Sequence, residues 1–269
     1  MIPPFHPHFD VWAVLGTVGF AYWFINTRIR PHWQHAVAAP SRRQWTQFYV
    51  GLGLIWLASD WPIHDLAEES LYSVHMAEHM VITLIGPPLL LLGLNRGLAD
   101  RIFGHRLVKP WLSRLARPAP AFAIYNVGMI VTHWPEVVSV SVTSELAHFG
   151  FHVFLFVSGI LLWLPVLSPS TVLPRLRPPT RLLYLFFNSI LPTVPAGFLT
   201  FSHVALYPIY GDSSLAFGIS AITDQTLAGL VMKLGGTLLI WIVMGVIWFR
   251  WAAEERRWDE IEEDLRTKV

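Results

Sequence analysis

The feature that most constrains the fold of this chain is a series of seven apolar runs separated by polar connections. A helix rises about 1.5 Å per residue, so roughly 20 apolar residues cover the ~30 Å hydrocarbon core of a bilayer. Hydrophobic residues make up 54% of the 269 residues and charged residues only 14%, which is too apolar for a soluble domain of this size. The sequence therefore predicts an all-α, polytopic membrane bundle that forms one domain.

The apolar runs divide the chain into seven predicted spans and a charged cytoplasmic tail at residues 252–269. The predicted spans are 11–25, 46–61, 71–94, 119–134, 146–167, 182–202 and 226–251. All but one of the 19 Lys and Arg residues fall in alternate connections, in the tail or, for Arg250, at the tail end of the seventh span, and Lys233 is the exception. Because positive residues favour the cytoplasmic side, we expect the N-terminus outside and the C-terminus in the cytoplasm. The net charge of +1 gives no indication of a nucleic-acid partner.

Histidines are concentrated where the predicted topology places the outer leaflet. His75 and His79 lie four residues apart in the third span, and His148 and His152 have the same spacing in the fifth, so each pair projects from one helix face. His133 ends the fourth span at the same level. The chain has no Cys, so a metal would have to be held by His, Met or carboxylate groups. These five histidines predict a metal site, and no catalytic residue stands out.

Neighbouring side chains extend the predicted ligand set and indicate which metal it suits. The further candidates are Met76, Met80, Met129, Glu78, Glu145 and Asp224. Thioether and imidazole groups together suit copper, notably Cu(I), better than calcium or magnesium. Zinc, or no metal, is the alternative. Each histidine taken alone can instead be a neutral side chain bonded to a neighbouring helix, and each methionine can simply fill space.

The remaining polar residues of interest receive simpler interpretations. His64 and His203 are expected near the cluster on the outer side. Lys233 either pairs with a carboxylate such as Glu78 or Asp224 or marks a transport path. We expect solvated side chains for the histidines of polar segments, which are His6, His8, His32, His35 and His105, and we expect kinked spans at Pro87, Pro88, Pro192 and Pro195.

Several ordered motifs resemble those of the CtaG-type cytochrome c oxidase assembly factors. They are HMAEHM from His75, GPPLLLLG from Gly86, THWP from Thr132, HFGFH from His148, LYPIY from Leu206 and DQTLAG from Asp224, within roughly residues 46–250. The family's histidine motifs match His75, His79, His133, His148 and His152. The chain departs from the expected pattern at Glu78, where we expect glutamine, and at Phe151, where we expect glutamate.

The resemblance implies a multi-pass protein of the bacterial cytoplasmic membrane that helps to mature haem-copper oxidase. It implies a non-enzymatic metallochaperone that binds copper and meets an oxidase subunit transiently, with lipid around its spans and a homodimer as a further option. Haem carriage by the paired histidines is a variant of this function.

Two other function classes stay open at the level of sequence. The first is a seven-span zinc or iron enzyme that uses paired histidine boxes, although a di-iron bundle site needs two Glu-x-x-His units and only Glu145–His148 supplies one. The second is a seven-span retinal protein with a Schiff base on Lys233.

Overall fold

The computed structural model describes residues 3–33, 37–210 and 214–267, and these residues form helices and connections without any strand. The all-α class is therefore confirmed. The α-helices, in chain order, are α1 (Phe9–Phe24), α2 (Arg42–Ala58), α3 (Ile63–Glu69), α4 (Tyr72–Met80), α5 (Gly86–Gly93), α6 (Arg96–Gly104), α7 (Lys109–Leu115), α8 (Pro118–Thr132), α9 (Pro135–Thr143), α10 (Glu145–Leu167), α11 (Pro178–Ile190), α12 (Thr193–Phe201), α13 (Ala221–Leu230) and α14 (Gly236–Thr267).

Among the described residues, four helical stretches are long and apolar enough to cross a membrane. They are Tyr72–Gly93, Glu145–Leu167, Pro178–Phe201 and Ala221–Thr267, and the apolar helix α8 is shorter. The four stretches coincide with the third, fifth, sixth and seventh predicted spans. Helices α1 and α2, of 16 and 17 residues, lie where the first two spans are predicted.

Prolines shape the third span in a way that elementary hydrogen bonding explains. A π-helical segment, Val81–Ile85, joins α4 to α5, which begins at Gly86 and has proline in its first turn. In a regular α-helix the carbonyl of Thr83 would accept a hydrogen bond from the N–H group of residue 87. Pro87 has no N–H group, so this bond cannot form. That carbonyl instead accepts a hydrogen bond from Trp163 Nε1 of α10, at 3.2 Å. The predicted kink is thus a π segment held by a neighbouring helix.

The other predicted break lies in the sixth span. Helix α11 ends at Ile190 and α12 begins at Thr193, with Leu191 and Pro192 forming a turn between them. A second π-helical segment, Val231–Gly235, joins α13 to α14 in the same part of the bundle. Three of the long apolar stretches are therefore interrupted rather than straight.

A close approach of α10 to the third span fixes the position of the helix that carries His148 and His152. A Cβ atom on Gly159 would lie 2.8 Å from Thr83 O and 3.0 Å from Thr83 Cα, so only glycine fits against this backbone. We expect Gly159→Ala to lower the free energy of unfolding by about 1–3 kcal/mol, because the backbone has to move apart. Thermal unfolding in detergent measures this loss.

Gly150 of the same helix provides the matched control for this prediction. A Cβ atom there meets nothing within 4 Å, so Gly150→Ala is expected to leave stability unchanged or slightly raised. Equal unfolding temperatures for the two variants would contradict the packing argument.

Candidate metal site

The two histidine pairs lie on helices α4 and α10. The backbone N–H groups in the first turn of each helix donate hydrogen bonds to a side chain that caps it. Helix α4 carries His75 and His79, and the carboxylate of Asp224 accepts bonds from the backbone N–H groups of Tyr72 (2.7 Å) and Ser73 (3.1 Å) at its start. Ser144 caps α10 by accepting a bond from the Ala147 N–H group. These caps satisfy donors that a helix leaves free at its N-terminus.

The two pairs face each other across the bundle. The ring centroids of His75 and His79 are 4.1 Å apart, and those of His148 and His152 are 4.3 Å apart, as the spacing of four residues predicts. Between the helices, the rings of His79 and His152 are 5.4 Å apart, and those of His75 and His148 are 6.1 Å apart. Four of the five predicted histidines therefore form one compact group.

His64 joins this group from the short helix α3, which lies in a connection rather than in a predicted span. Its ring centroid lies 5.2 Å from that of His148 and 5.5 Å from that of His152. One ligand atom from each of these three histidines lies within 4.8 Å of the other two. We name His64, His75, His79, His148 and His152 the imidazole cluster.

Two carboxylates give the imidazole cluster a negative partner. Glu78 is buried, accepts a hydrogen bond from His64 Nδ1 at 2.9 Å, and lies 3.7 Å from His152 Nδ1. Glu68 lies 3.5 Å from His64 Nε2 and 3.4 Å from His148 Nδ1. Burial lowers the pKa of His64, but the nearby carboxylates, first of all Glu78, outweigh it and raise that pKa to about 9. A metal that binds this ring must therefore displace a proton.

Several buried nitrogens of the cluster have no hydrogen-bond partner among the described residues. They are His75 Nδ1, His79 Nδ1, His148 Nε2 and His152 Nε2. Glu78 Oε2 is also buried and also has no hydrogen-bond partner among the described residues. An unpaired buried polar atom costs about 1–3 kcal/mol, so such a concentration calls for an explanation. Coordination of a metal ion would satisfy neutral imidazole nitrogens and the free carboxylate oxygen together. The donor set thus fits a metal.

His133 lies at the inner end of the cluster in a different environment. Its ring centroid is 6.4 Å from that of His79, its Nδ1 donates to Met129 O at 2.6 Å, and its Nε2 lies 3.2 Å from Met76 Sδ. The backbone bond fixes which nitrogen carries the proton and leaves Nε2 free to act as a ligand beside a thioether. Met80 is packed against Gly235 and, with Met129, lines a small cavity beside this pair.

Among the described residues, two of the predicted carboxylate ligands form no ion pair with a histidine of the cluster. Glu145 is exposed, and both oxygens of Asp224 accept hydrogen bonds in capping α4. The expectation that Lys233 pairs with a carboxylate is also wrong among the described residues, because its Nζ donates to the Thr193 hydroxyl instead.

The expectation of a solvated His8 is wrong as well. This side chain is only 12% exposed, and its ring lies 4.8 Å from that of His64. His6, His32 and His105 are exposed, as expected for solvated side chains, and His35 lies outside the described residues. His203, which was expected near the cluster, is exposed as well.

A cavity of about 960 Å³ reaches the cluster. Its polar end is lined by His64, Glu68, His148 and His152, and its apolar wall comes from α1, α2, α10 and the Val81–Ile85 segment of the third span. An ion or a partner side chain can therefore approach the imidazole cluster without unfolding the bundle.

The Asp224 cap predicts a measurable link between the seventh span and the cluster. We expect Asp224→Ala to lower the free energy of unfolding by about 1–3 kcal/mol and to weaken metal binding, because α4 loses the acceptor that fixes its first turn. Thermal unfolding and metal titration of the purified protein measure the two effects. Asp224→Asn keeps one acceptor oxygen and serves as the control, so losses as large as those of Asp224→Ala would count against a capping role.

Comparison with known proteins covers most of the chain. A family model described as cytochrome c oxidase caa3 assembly factor matches residues 20–254. Two uncharacterized proteins, one from Mycobacterium bovis and one from Mycobacterium tuberculosis, are each 26% identical over 207 residues. The alignment covers 70% of this chain and 31% of each relative, so the chain spans less than a third of their length. No solved structure gives a significant match.

Proposed function

Because the chain belongs to the family of cytochrome c oxidase caa3 assembly factors, we propose that it assists the maturation of a haem-copper oxidase by binding copper as cargo. The observation that carries the proposal is the set of four facing imidazoles, each of which has one buried nitrogen without a hydrogen-bond partner among the described residues. A purely structural cluster would gain nothing from leaving these groups unpaired. The chain acts as a binding protein in this proposal and not as an enzyme.

The chemistry of the donors favours Cu(I) as the cargo. The cluster offers imidazoles throughout, and its inner end adds the Met76 thioether beside His133 Nε2. Soft thioether and imidazole groups are typical ligands of Cu(I). The cluster's residues hold the ion, and the negative carboxylate of Glu78 offsets its charge inside the bundle. Release requires only that a partner's ligands replace these side chains one at a time.

The proposal includes a definite arrangement in the membrane. It places the chain in a bacterial cytoplasmic membrane with seven spans, the N-terminus outside and the C-terminus in the cytoplasm. The distribution of Lys and Arg residues and the agreement between helices and apolar runs support this topology. The imidazole cluster then lies in the outer leaflet, where the cavity gives a subunit of the oxidase access to it.

One observation favours a second candidate function. His64, His148 and His152 bring three ligand atoms together beside an open cavity, which is the pattern of a catalytic zinc site with a free position. A membrane enzyme with zinc or iron would use that free position to activate water. This candidate predicts that zinc or iron is retained in preference to copper.

Two linked measurements test the proposed function. The purified full chain is loaded in parallel with Cu(I), Zn(II) and Fe(II) and its metal content is determined, and the chain is returned to a strain that lacks it while oxidase activity is measured. We expect selective, near-stoichiometric copper and restored oxidase activity. Preference for zinc or iron would favour the enzyme, and restored activity without any bound metal would leave a metal-free scaffold.

A further inference from the structure

A second group of metal-binding side chains lies between the N-terminal segment and α3. His8 Nε2 donates to Asp65 Oδ1 at 2.7 Å, and the ring centroids of His6 and His8 are 5.3 Å apart. One ligand atom from each of His6, His8 and Asp65 lies within 4.8 Å of the other two. Residues 3–8 are not helical, and residues two apart in an extended chain point to the same side.

Burial distinguishes this group from an ordinary surface contact. Asp65 is 5% exposed, and its Oδ2 has no hydrogen-bond partner among the described residues. The side chain of His8 is 12% exposed, whereas His6 faces solvent. A buried carboxylate with one free oxygen, together with one covered and one open imidazole, is a site that an ion can enter from outside.

We propose that His6, His8 and Asp65 form a second, outer site for a divalent transition-metal ion. Two imidazole nitrogens and one carboxylate oxygen are typical ligands of Zn(II) and Cu(II), and the absence of a thioether from this set disfavours Cu(I). A bound ion would satisfy the free oxygen of Asp65 and hold the N-terminal segment against α3.

The outer site is separate from the imidazole cluster but adjacent to it. The rings of His8 and His64 are 4.8 Å apart, and both groups line the same cavity. His6 and His8 precede residues 20–254, which match the family, so the proposal comes from the geometry of this chain. It does not rest on the proposed function, because ion binding at the outer site is measured without any oxidase.

The test uses the full chain in detergent with Zn(II) as the first probe. In a background with His64, His148 and His152 all replaced by alanine, we expect one ion to remain bound. We expect additional His6→Ala and His8→Ala changes to remove it, with affinity lowered about 100-fold or more. The matched control replaces the exposed His32 and His105 with alanine and keeps the ion. Size-exclusion profiles and thermal unfolding show that each variant is folded.

Two further measurements keep the proposal falsifiable if the background variant folds poorly. In the otherwise unchanged protein, Asp65→Asn is expected to weaken binding of the outermost ion about 10- to 100-fold. Cu(II) added to the unchanged protein is expected to give an electron paramagnetic resonance spectrum in which one component with nitrogen hyperfine coupling comes from the outer site. Replacing His6 and His8 is expected to remove that component and to leave any signal from the imidazole cluster unchanged. Identical Zn(II) stoichiometry and Cu(II) spectra with and without His6 and His8 would overturn the outer site.

Discussion

Replacing both His75 and His79 with alanine is expected to abolish stoichiometric copper binding and to leave the oxidase immature. These residues contribute two of the four facing imidazoles, and their Nδ1 atoms are buried without a partner among the described residues. Their removal leaves His148 and His152 with no opposing imidazole from the third span, and only the Glu78 carboxylate still faces them. We expect Cu(I) affinity to fall more than about 100-fold, since even changes behind the ligands cost 10- to 100-fold. Competition with a Cu(I) chelator measures the affinity.

His203→Ala is the control for this double variant, because that side chain is exposed. We expect it to bind copper and to restore oxidase activity as the unchanged chain does. The variant without His75 and His79 is expected to remain folded, since alanine suits a helix and removes unpaired groups. If it restored full oxidase activity in the deletion strain, copper binding at this cluster would be irrelevant to maturation.

Changing Glu78 is expected to have the second largest effect, with different consequences for two substitutions. Glu78→Gln keeps an oxygen that accepts from His64 Nδ1 but removes the charge, so we expect metal affinity to fall about 10- to 100-fold. Glu78→Ala also leaves His64 without its closest partner. Breaking a buried ion pair in this way costs about 3–5 kcal/mol, which we expect to lower the unfolding temperature of the metal-free protein markedly.

Glu145→Gln is the matched control, because that carboxylate is exposed at the rim of the same cavity. Metal affinity and unfolding temperature of this variant are expected to stay near those of the unchanged protein. Equal behaviour of Glu78→Gln and Glu145→Gln in metal titrations would mean that the charge of Glu78 plays no part in binding.

The sequence made the paired histidines predictable because helical spacing alone determines which side chains share a face. The rings of His75 and His79, and those of His148 and His152, lie close together for that reason. That the two pairs lie at the same depth was predictable only from the alternating direction of successive spans. The third and fifth spans run in the same direction, and each carries its histidine pair in its first half. Whether these residues bind a metal stays a prediction.

Residue spacing along the chain does not predict every contact of the site. Examples are the contacts of His64 and His8 and the capping role of Asp224. His64 lies on a short helix in a connection, and the path of a connection depends on contacts that periodicity does not encode. Asp224 caps a helix 152 positions earlier in the chain, and only the packed bundle brings the two together. The available signal was modest: His64 directly precedes Asp65 in an acidic connection next to the third span.

The π segment at Val81–Ile85 makes the length of the third span as important as its apolar character. A π turn accommodates one residue more than an α turn, so it sets the rotation of the histidine-bearing half of the span relative to the half after Pro87. Loss of a single residue there would turn α4 by about 100° about its axis. Both imidazoles would then point away from α10, although the span would still be long enough for the bilayer.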